Sequence, residues 1–220
     1  MIEVPVGPLM VKMDPAGGGC GVCQHMLKEG CFEPESLAVW AAALRPGRVA
    51  LDIGAYTGIY AIGAALMGAT VWAFEPYPVT FDRLHHNAGL NGIGTTGREG
   101  LTSVMNAVSA EAGDALLCHD RPRGFPSAAS LERSGRYGVQ VTTVALDQLT
   151  LPGRVSVMKI DVERHEPAVL RGAAALLERD RPVLIVESLG PAEERAILAA
   201  APDYRIMNRL DRRNLLLERS

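Results

Sequence analysis

The sequence predicts an α/β fold: a mostly parallel sheet with helices on both faces and an antiparallel hairpin at its C-terminal end. Three observations lead to this prediction. From residue 46 onward, short apolar runs alternate with longer helical patterns, which is typical of parallel strands joined by crossover helices. Residues 204–210 and 214–218 are two strand-like runs separated by a short polar turn, as in a hairpin. The 220 residues are 48% hydrophobic and 21% charged, as expected for one globular core.

The chain is expected to form a single domain with two parts. Residues 1–45 are predicted to be a helical lead-in that packs on the same core, because helical patterns cover 22–27 and 34–44. Arg45-Pro46-Gly47 ends the second of these patterns. Residues 46–220 carry the alternating pattern. Substrate specificity is then left to the lead-in, one loop or a second subunit, so a homo-oligomer is compatible with this layout.

Each element of the second part follows from its pattern. Strands are predicted where short apolar runs lie between turn residues, at 49–53, 70–74, 101–108, 139–145, 155–160 and 183–186. Helices are predicted where apolar residues recur at helical spacing, at 60–67, 79–90, 167–177 and 192–200. Residues 118–138 lack periodicity and predict a long loop over a ligand site. A parallel sheet that closes on an antiparallel hairpin is the layout of the seven-stranded, Rossmann-like class I methyltransferases.

Composition argues against several functions and locations. The net charge of −3 does not indicate a basic surface of the kind that binds nucleic acid. Residues 53–74 contain no charged residue, but their glycines and the acids at their ends argue against a membrane span. The start of the chain has no basic segment before an apolar run, so no signal peptide is expected. The four cysteines are expected to be reduced, which favours a cytoplasmic location.

The strongest local signal is Leu51-Asp-Ile-Gly-Ala-Tyr-Thr-Gly58, which follows a strand and opens a helix. Glycines at such a junction let the backbone approach a ligand. The spacing differs from the G-x-G-x-x-G of dinucleotide loops, and Asp52 would repel a pyrophosphate but attract an ammonium. S-adenosylmethionine (SAM), which carries an ammonium and a sulfonium but no phosphate, fits this loop. The candidate cofactor-binding residues here are Asp52, Gly54, Ala55, Tyr56, Thr57 and Gly58.

Acidic residues follow two further strands. Glu75, followed by Pro76, ends the strand after the glycine loop, and a carboxylate at that place can accept hydrogen bonds from both hydroxyls of a ribose. The charged run 159–166 ends a later strand. Because ligands of an open parallel sheet lie beyond the carboxyl ends of its strands, this run is expected to face the same crevice as Asp52 and Glu75.

Together these motifs resemble those of the FkbM-type methyltransferases. They run in family order over about residues 29–190, as Leu51 to Gly58, Phe74-Glu-Pro-Tyr-Pro78, Asn87 with Leu90-Asn-Gly92, Ala107-Val-Ser109, Leu146-Asp147, Lys159 to Glu166, and Leu170-Arg-Gly-Ala173. The resemblance implies SAM-dependent methylation of a hydroxyl on a sugar, polyketide or related natural product, so the acceptor is a small molecule or a glycan. It also implies that the glycine loop holds the methionine part, that Glu75 holds the ribose, and that Ala107 and Val108 border the adenine.

The resemblance also assigns catalytic candidates, since Asp161, Glu163 and Glu166 match the acidic strand-end motif of the family. Methyl transfer from a sulfonium is an in-line displacement, so the protein has to align the acceptor oxygen and deprotonate it. His165 is the candidate general base, with Glu163 or Glu166 to orient it, and Asp161 is placed at the junction of SAM and acceptor.

Two residues depart from the family pattern. Tyr56 stands where the family often has Asn, and Arg164 stands where it usually has Gly. The second departure bears on the local backbone and on the substrate edge, because a bulky cation replaces a residue that permits any φ.

Two metal hypotheses arise from the sequence, and no metal is assigned. Asp161, Glu163 and Glu187 could supply hard oxygen ligands to Mg²⁺, but their spacing does not establish a site. The other hypothesis is zinc on Cys20, Cys23, His25 and Cys31. The spacing of those residues is too compressed for a usual zinc finger, and a buried, inert thiol pair is the simpler interpretation.

Two alternative functions stay open. An RNA methyltransferase on the same fold is disfavoured because 160–163 lacks the Asn/Asp-Pro-Pro-aromatic run of enzymes that methylate exocyclic amines, and because the acidic rim opposes a phosphate backbone. The arginines that could form a basic stripe are Arg205, Arg209, Arg212 and Arg213. A non-catalytic SAM-binding partner subunit is the second alternative; it would be expected to lose Asp161 or Glu163, and this chain retains both.

Overall fold

The computed structural model describes residues 1–95, 100–120, 128–132 and 134–219. In chain order the strands are β1 (Ile2–Val6), β2 (Leu9–Met13), β3 (Val49–Ile53), β4 (Thr70–Phe74), β5 (Leu101–Val104), β6 (Ala107–Val108), β7 (Gly113–His119), β8 (Tyr137–Val144), β9 (Val155–Ile160), β10 (Val183–Glu187), β11 (Tyr204–Leu210) and β12 (Asn214–Arg219). The helices are α1 (Gly21–Glu29), α2 (Pro34–Ala43), α3 (Ile59–Leu66), α4 (Pro78–Leu90), α5 (Glu166–Arg171), α6 (Ala174–Asp180) and α7 (Pro191–Ala200).

The central sheet has seven strands in the order β11-β12-β10-β9-β3-β4-β5. The pairs from β10 to β5 are parallel, and β12 pairs antiparallel with both β10 and β11. This arrangement confirms the predicted mostly parallel seven-stranded sheet with an antiparallel C-terminal hairpin. The chain continues from β3 to β4 and β5 on one side, and later returns to β9 on the other. A crevice therefore opens beyond the carboxyl ends of β3 and β9.

Apolar clusters cover both faces of this sheet. On one face, Val6 of β1 and Trp40 of α2 pack in the same cluster as Ile62 of α3. On the other face, α5, α6 and α7 contribute side chains such as Leu170, Leu177 and Ile197. The contact between α3 and the first strand is close, because a Cβ at Gly63 would lie 2.6 Å from Cγ1 of Val6.

The first thirteen residues are not helical, and the predicted helical lead-in is wrong there. β1 and β2 form an antiparallel hairpin in which Val4 lies opposite Val11. Alternate side chains of this hairpin face inward: Val4, Val6, Val11 and Met13 are fully buried, and Ile2 and Leu9 are partly buried. That is the period of a strand with one face on a core. The helices α1 and α2 follow, as predicted.

The turn of the C-terminal hairpin is tied to the start of α2. The carboxylate of Asp211 accepts hydrogen bonds from the backbone N–H groups of Glu35 (3.2 Å) and Ser36 (2.7 Å). In return, the Glu35 carboxylate accepts from the N–H of Asp211 at 3.1 Å. The first turn of α2 is thus capped by a side chain that lies 176 positions away from Glu35 in the sequence.

Three predicted elements differ from the structure. The predicted strand 101–108 is two strands, and β6 belongs to a separate three-stranded sheet of order β6-β8-β7. β7 was not predicted, and it extends to His119, so the long loop predicted at 118–138 begins too early. Residues 121–127 and 133 of that loop lie outside the described residues. The predicted helix 167–177 is broken at Gly172, where a Cβ would lie 2.1 Å from the carbonyl oxygen of Ser109.

No helix in the described ranges has the length and hydropathy needed to cross a bilayer. The charge-free segment 53–74 begins at the last residue of β3, includes the eight residues of α3 and extends to the end of β4.

Candidate active site

A cavity of about 990 Å³ lies at the carboxyl ends of β3, β4, β9 and β10. The start of α1, residues 31–34 and the hairpin turn 211–213 form its outer part. Its position is the point where the strand order reverses, which is where ligands bind in open α/β sheets. The lead-in and the C-terminal hairpin thus both border the same cavity as the glycine loop.

The glycine loop depends on Gly54. This residue has φ +82°, and a Cβ at its position would lie 1.8 Å from the carbonyl oxygen of Asp161. No other residue fits there without moving β9 away from β3. Gly58 starts α3 with φ +94°. The lack of a side chain at Gly54 therefore lets β3 and β9 come together at the cavity, and at Gly58 it leaves room for Ile62 and Leu84.

Asp52 is buried behind the loop. One of its oxygens accepts a hydrogen bond from the backbone N–H of Ala61 at 3.0 Å. Burial raises the pKa of Asp52 to about 7, against the opposing effect of the Lys159 ammonium. A bound cation would favour the ionised form of this carboxyl group.

The predicted loop residues divide into two sets. Asp52, Gly54, Ala55 and Tyr56 line the cavity, whereas Thr57 and Gly58 lie behind it. Thr57 is fully buried, with its hydroxyl 3.4 Å from Sγ of Cys20. Its carbonyl accepts a hydrogen bond from the side chain of Asn87, which also accepts one from the N–H of Asp14. The back of the loop is therefore fixed to the lead-in and to α4.

Glu75 joins the glycine loop to the start of α4. Its carboxylate accepts hydrogen bonds from the N–H of Tyr56 (2.8 Å), the N–H of Tyr77 (2.9 Å) and the hydroxyl of Thr80 (2.7 Å). Burial still raises the pKa of Glu75 to about 7. Each carboxylate oxygen has two lone pairs, so Glu75 keeps acceptor capacity toward the cavity, which it lines with Pro76.

The opposite wall comes from the second sheet. Ala107 and Val108 of β6 line the cavity and are almost fully buried. They pair with Thr143 and Val144 of β8. The short apolar strand therefore lines the same cavity as Glu75.

Lys159 lies at the centre of the charged strand end. Its ammonium donates to Asp161 (2.9 Å) and to the side-chain oxygen of Asn214 (3.0 Å), and it lies 5.4 Å from the ring centre of Tyr60. Burial would lower the pKa of Lys159, but the carboxylates around it, with Asp161 first, raise it above its usual value. Lys159 is thus a buried, permanently charged group, and the analysis of the sequence did not single it out.

The turn after β9 has an unusual backbone. Glu163 and Arg164 have φ values of +54° and +83°. Arg164 is the position where the family usually has Gly, and the structure shows why Gly suits it. The carboxylate of Glu166 holds the turn from below, accepting from the N–H groups of Val162 (3.1 Å) and Arg164 (3.3 Å). Burial raises the pKa of Glu166 to about 7.

Asp161 and Glu163 line the cavity, and Glu166 does not. With 1% of its surface exposed, Glu166 is in contact with the backbone of the turn instead. Its contacts favour a role in positioning Asp161 and Glu163.

His165 also lines the cavity, and both of its ring nitrogens have partners. Nδ1 lies 2.6 Å from a carboxylate oxygen of Glu132, and Nε2 lies 2.9 Å from the hydroxyl of Ser109. The prediction that Glu163 or Glu166 orients this imidazole is wrong: Glu132 and Ser109 do so. The sequence does not predict either contact, because each residue lies more than thirty positions from His165. Glu132 lies outside the motifs, and Ser109 belongs to a motif that points to the adenine side of the site.

Three carboxylates form a separate group in the cavity. Oxygens of Asp161, Glu163 and Glu187 all lie within 4.8 Å of one another, and in the described ranges no other group of three or more His, Cys, Asp and Glu residues is close enough to share an ion. The residues considered for zinc do not converge, since Cys20 and Cys23 are fully buried whereas His25 is exposed.

This sheet order, with a glycine loop and acidic strand ends around one cavity, defines a class I methyltransferase fold. The family model described as "Methyltransferase FkbM domain" matches residues 52–214. The chain therefore belongs to the FkbM methyltransferase family, and the resemblance found in the sequence is confirmed.

Two curated relatives support the assignment. The hexuronic acid methyltransferase AglP of Haloferax volcanii is 32% identical over 131 residues, which is 58% of this chain and 50% of the relative. The 31-O-demethyl-FK506 methyltransferase FkbM of Streptomyces tacrolimicus is 34% identical over 167 residues, or 59% of this chain and 60% of the relative. The matched part is thus between half and three fifths of the length of these relatives.

Solved structures show the same fold at low identity. An FkbM methyltransferase from Methylobacillus flagellatus has a TM-score of 0.52 at 17% identity and covers 79% of this chain and 44% of that one. A protein of Streptococcus mutans in complex with S-adenosylhomocysteine (SAH) has a TM-score of 0.51 at 11% identity and covers 82% and 93%.

Proposed function

We propose that the protein is a SAM-dependent O-methyltransferase whose acceptor is a hydroxyl on a sugar, a polyketide or a related natural product. The observation that carries the proposal is the cavity at the switch point of the sheet, where Gly54 and Glu75 lie at the ends of adjacent strands. Membership of the FkbM family supports the reaction type. The names of the two curated relatives, one acting on a hexuronic acid and one on a polyketide, support the acceptor class.

In this proposal SAM lies across the carboxyl ends of β3 and β4. Asp52 and the loop from Gly54 to Gly58 hold the methionine part, Glu75 holds the ribose with Pro76 beside it, and Ala107 and Val108 border the adenine. The raised pKa values of Asp52 and Glu75 support these roles, because both buried carboxyl groups gain from a ligand that carries positive charge or donates hydrogen bonds.

The acceptor hydroxyl approaches from the side of the charged turn. SAM supplies an electrophilic methyl group when bound. Glu132 accepts a hydrogen bond from Nδ1 of His165 and so fixes the tautomer, which leaves the lone pair on Nε2. The acceptor hydroxyl displaces the hydroxyl of Ser109 from Nε2, and His165 takes its proton there. Asp161 and Glu163 orient the acceptor, and Glu166 holds their turn in place.

The acceptor end of the cavity also bears Arg212 and Arg213, which suits a substrate with an acidic group. The arginine stripe considered for RNA is partly neutralised, because Arg209 pairs with Glu194 and Arg213 lies 3.6 Å from Glu187. We therefore propose no nucleic-acid partner. The four cysteines are unpaired, which supports a cytoplasmic location.

Calorimetry of the purified protein with SAM and SAH tests the proposal, followed by methyl transfer to uronic-acid glycans and to polyketides with product detection by mass spectrometry. Glu75→Ala is expected to weaken SAH binding by at least about tenfold, and the exposed Glu3→Gln to leave it unchanged. No binding at millimolar SAM contradicts the proposal. Binding without transfer to any acceptor favours a non-catalytic partner subunit, and transfer to RNA alone favours an RNA methyltransferase.

A further inference from the structure

We propose that Asp161, Glu163 and Glu187 form a binding site for one divalent cation of the Mg²⁺ or Mn²⁺ type, next to the acceptor position. Binding of the ion does not depend on the proposed function; only its role in activating an acceptor hydroxyl rests on that function. The three carboxylates come from the ends of the adjacent strands β9 and β10 and from the turn after β9, and all three line the cavity. Hard oxygen donors of this kind are the ligands that these cations prefer.

The spacing of the donors suits a cation of this size. One oxygen from each carboxylate lies within 4.8 Å of the other two. Around an octahedral ion with metal–oxygen bonds of about 2.1 Å, ligand oxygens lie about 3–4 Å apart. Small rotations of the side chains therefore close the present triad onto an ion, and the open side of the cavity leaves positions for water or an acceptor hydroxyl.

A second observation, besides the spacing of the donors, is the state of Glu187. Its side chain is 8% exposed, and its Oε2 accepts no hydrogen bond in the described part of the structure. Burying a carboxylate oxygen without a partner costs stability, so this oxygen is available to a ligand that supplies one.

The cations of the described residues leave this oxygen of Glu187 without a hydrogen bond. Lys159 attracts Glu187 electrostatically, but its ammonium donates its hydrogen bonds to Asp161 and Asn214. Arg213 lies 3.6 Å from the other oxygen of Glu187, but its side chain is 65% exposed, so solvent weakens that attraction. Asp52 adds a further buried carboxyl group to the same cavity. A divalent ion would bind the acceptor hydroxyl and make its proton easier to remove.

A manganese titration followed by electron paramagnetic resonance tests the site on protein stripped with EDTA and desalted. We expect one Mn²⁺ per chain, displaced by excess Mg²⁺, and an affinity at least about tenfold lower in Glu187→Gln. Glu178→Gln, which removes an exposed carboxylate outside the cavity, is the matched control and is expected to bind as the unchanged protein does.

The site is refuted if the unchanged protein takes up no Mn²⁺ at about 1 mM, the weak end of carboxylate sites. The site is also contradicted if Mn²⁺ uptake is the same in the unchanged protein, in Glu187→Gln and in Asp161→Asn. If Glu187→Gln does not fold, the comparison of the unchanged protein with Asp161→Asn decides. Calorimetry with SAH in EDTA separates the two proposals. SAH binding without Mn²⁺ uptake contradicts the cation site alone, whereas Mn²⁺ uptake without SAH binding contradicts the proposed function alone.

Discussion

The two ends of the cavity are built in different ways. At the cofactor end, Asp52, Gly54 and Glu75 lie within 24 positions of one another in the sequence, and the side chains of Asp52 and Glu75 are held by backbone N–H groups of the same segment. At the acceptor end, His165, Glu132, Ser109, Lys159 and Glu187 come from four separate segments. That end also contains an unpartnered carboxylate oxygen. The hydrogen bonds that hold Asp52 and Glu75 therefore form within one β-α-β segment, whereas those of His165 and Lys159 join segments that are distant in the sequence.

The largest expected effect is at the cofactor end, in Gly54→Ala. The added methyl group meets the Asp161 carbonyl and the residue must keep a positive φ, so we expect the free energy of unfolding to fall by about 3 kcal/mol or more, with loss of SAH binding. Gly47→Ala is the control, because Gly47 has φ +68° with no atom within 4 Å of the added group, and should cost about 1–2 kcal/mol. If chemical denaturation shows the same loss of unfolding free energy in Gly54→Ala and Gly47→Ala, the clash with Asp161 is relieved at no cost.

The next effect is at the acceptor end, in Lys159→Met. Removing this buried ammonium leaves Asp161, and the amide oxygen of Asn214, without their donor. Asp161 is 30% exposed, so solvent offsets part of the loss, and we expect about 2–3 kcal/mol of destabilisation in chemical denaturation. Lys28→Met, at a side chain that is 81% exposed, should change stability by less than about 0.5 kcal/mol. Equal stability of the two variants would mean that Lys159 does not hold this end together.

The pH dependence of stability probes Asp52. Its folded pKa of about 7 lies above the usual value of 3.8, so between these values the folded state binds a proton that the unfolded state has lost. The contribution of Asp52 to the free energy of unfolding is therefore complete below about pH 4 and is lost as pH rises through 7. About 2 kcal/mol of it is lost between pH 5 and pH 7. Asp52→Asn should remove the part of the slope that Asp52 contributes, measured as unfolding free energy at each pH. Glu75 and Glu166, whose pKa values burial also raises to about 7, keep their own contributions. SAM affinity should rise over the same range more steeply in the unchanged protein than in the variant.

The smallest effect is expected for Glu132→Gln. Half of this side chain is exposed, so stability should change little, but the amide holds His165 less firmly than a carboxylate does. We expect kcat to fall about tenfold while the dissociation constant for SAH stays the same. Glu3→Gln serves as the control. If SAH affinity falls together with kcat, Glu132 shapes the whole cavity and the separation of the two ends is less sharp than proposed.

The same contrast explains what could be predicted from the sequence. The glycine loop and Glu75 follow apolar strands in one segment, so their pattern shows both the strands and the chemistry. β1 and β7 were missed because their alternation is short or interrupted by prolines and charges. Glu132 and Ser109 could not be predicted as partners of His165, since only the second sheet and the following segment bring them to α5. Glu187 was noticed as an oxygen donor, but its missing partner is a property of the packed structure.

The cap that Asp211 places on α2 has a consequence for folding. Residue 211 is synthesised 176 positions after Glu35, so the first turn of α2 stays uncapped until the C-terminal hairpin has formed. α2 also packs against β9 and β10, which are made late in the chain. Contacts at such long sequence separation slow folding and leave early segments exposed while translation continues. The packing of α2 is therefore completed only after the C-terminal hairpin has formed. Shortening the hairpin should make α2 the first helix to exchange its amide hydrogens.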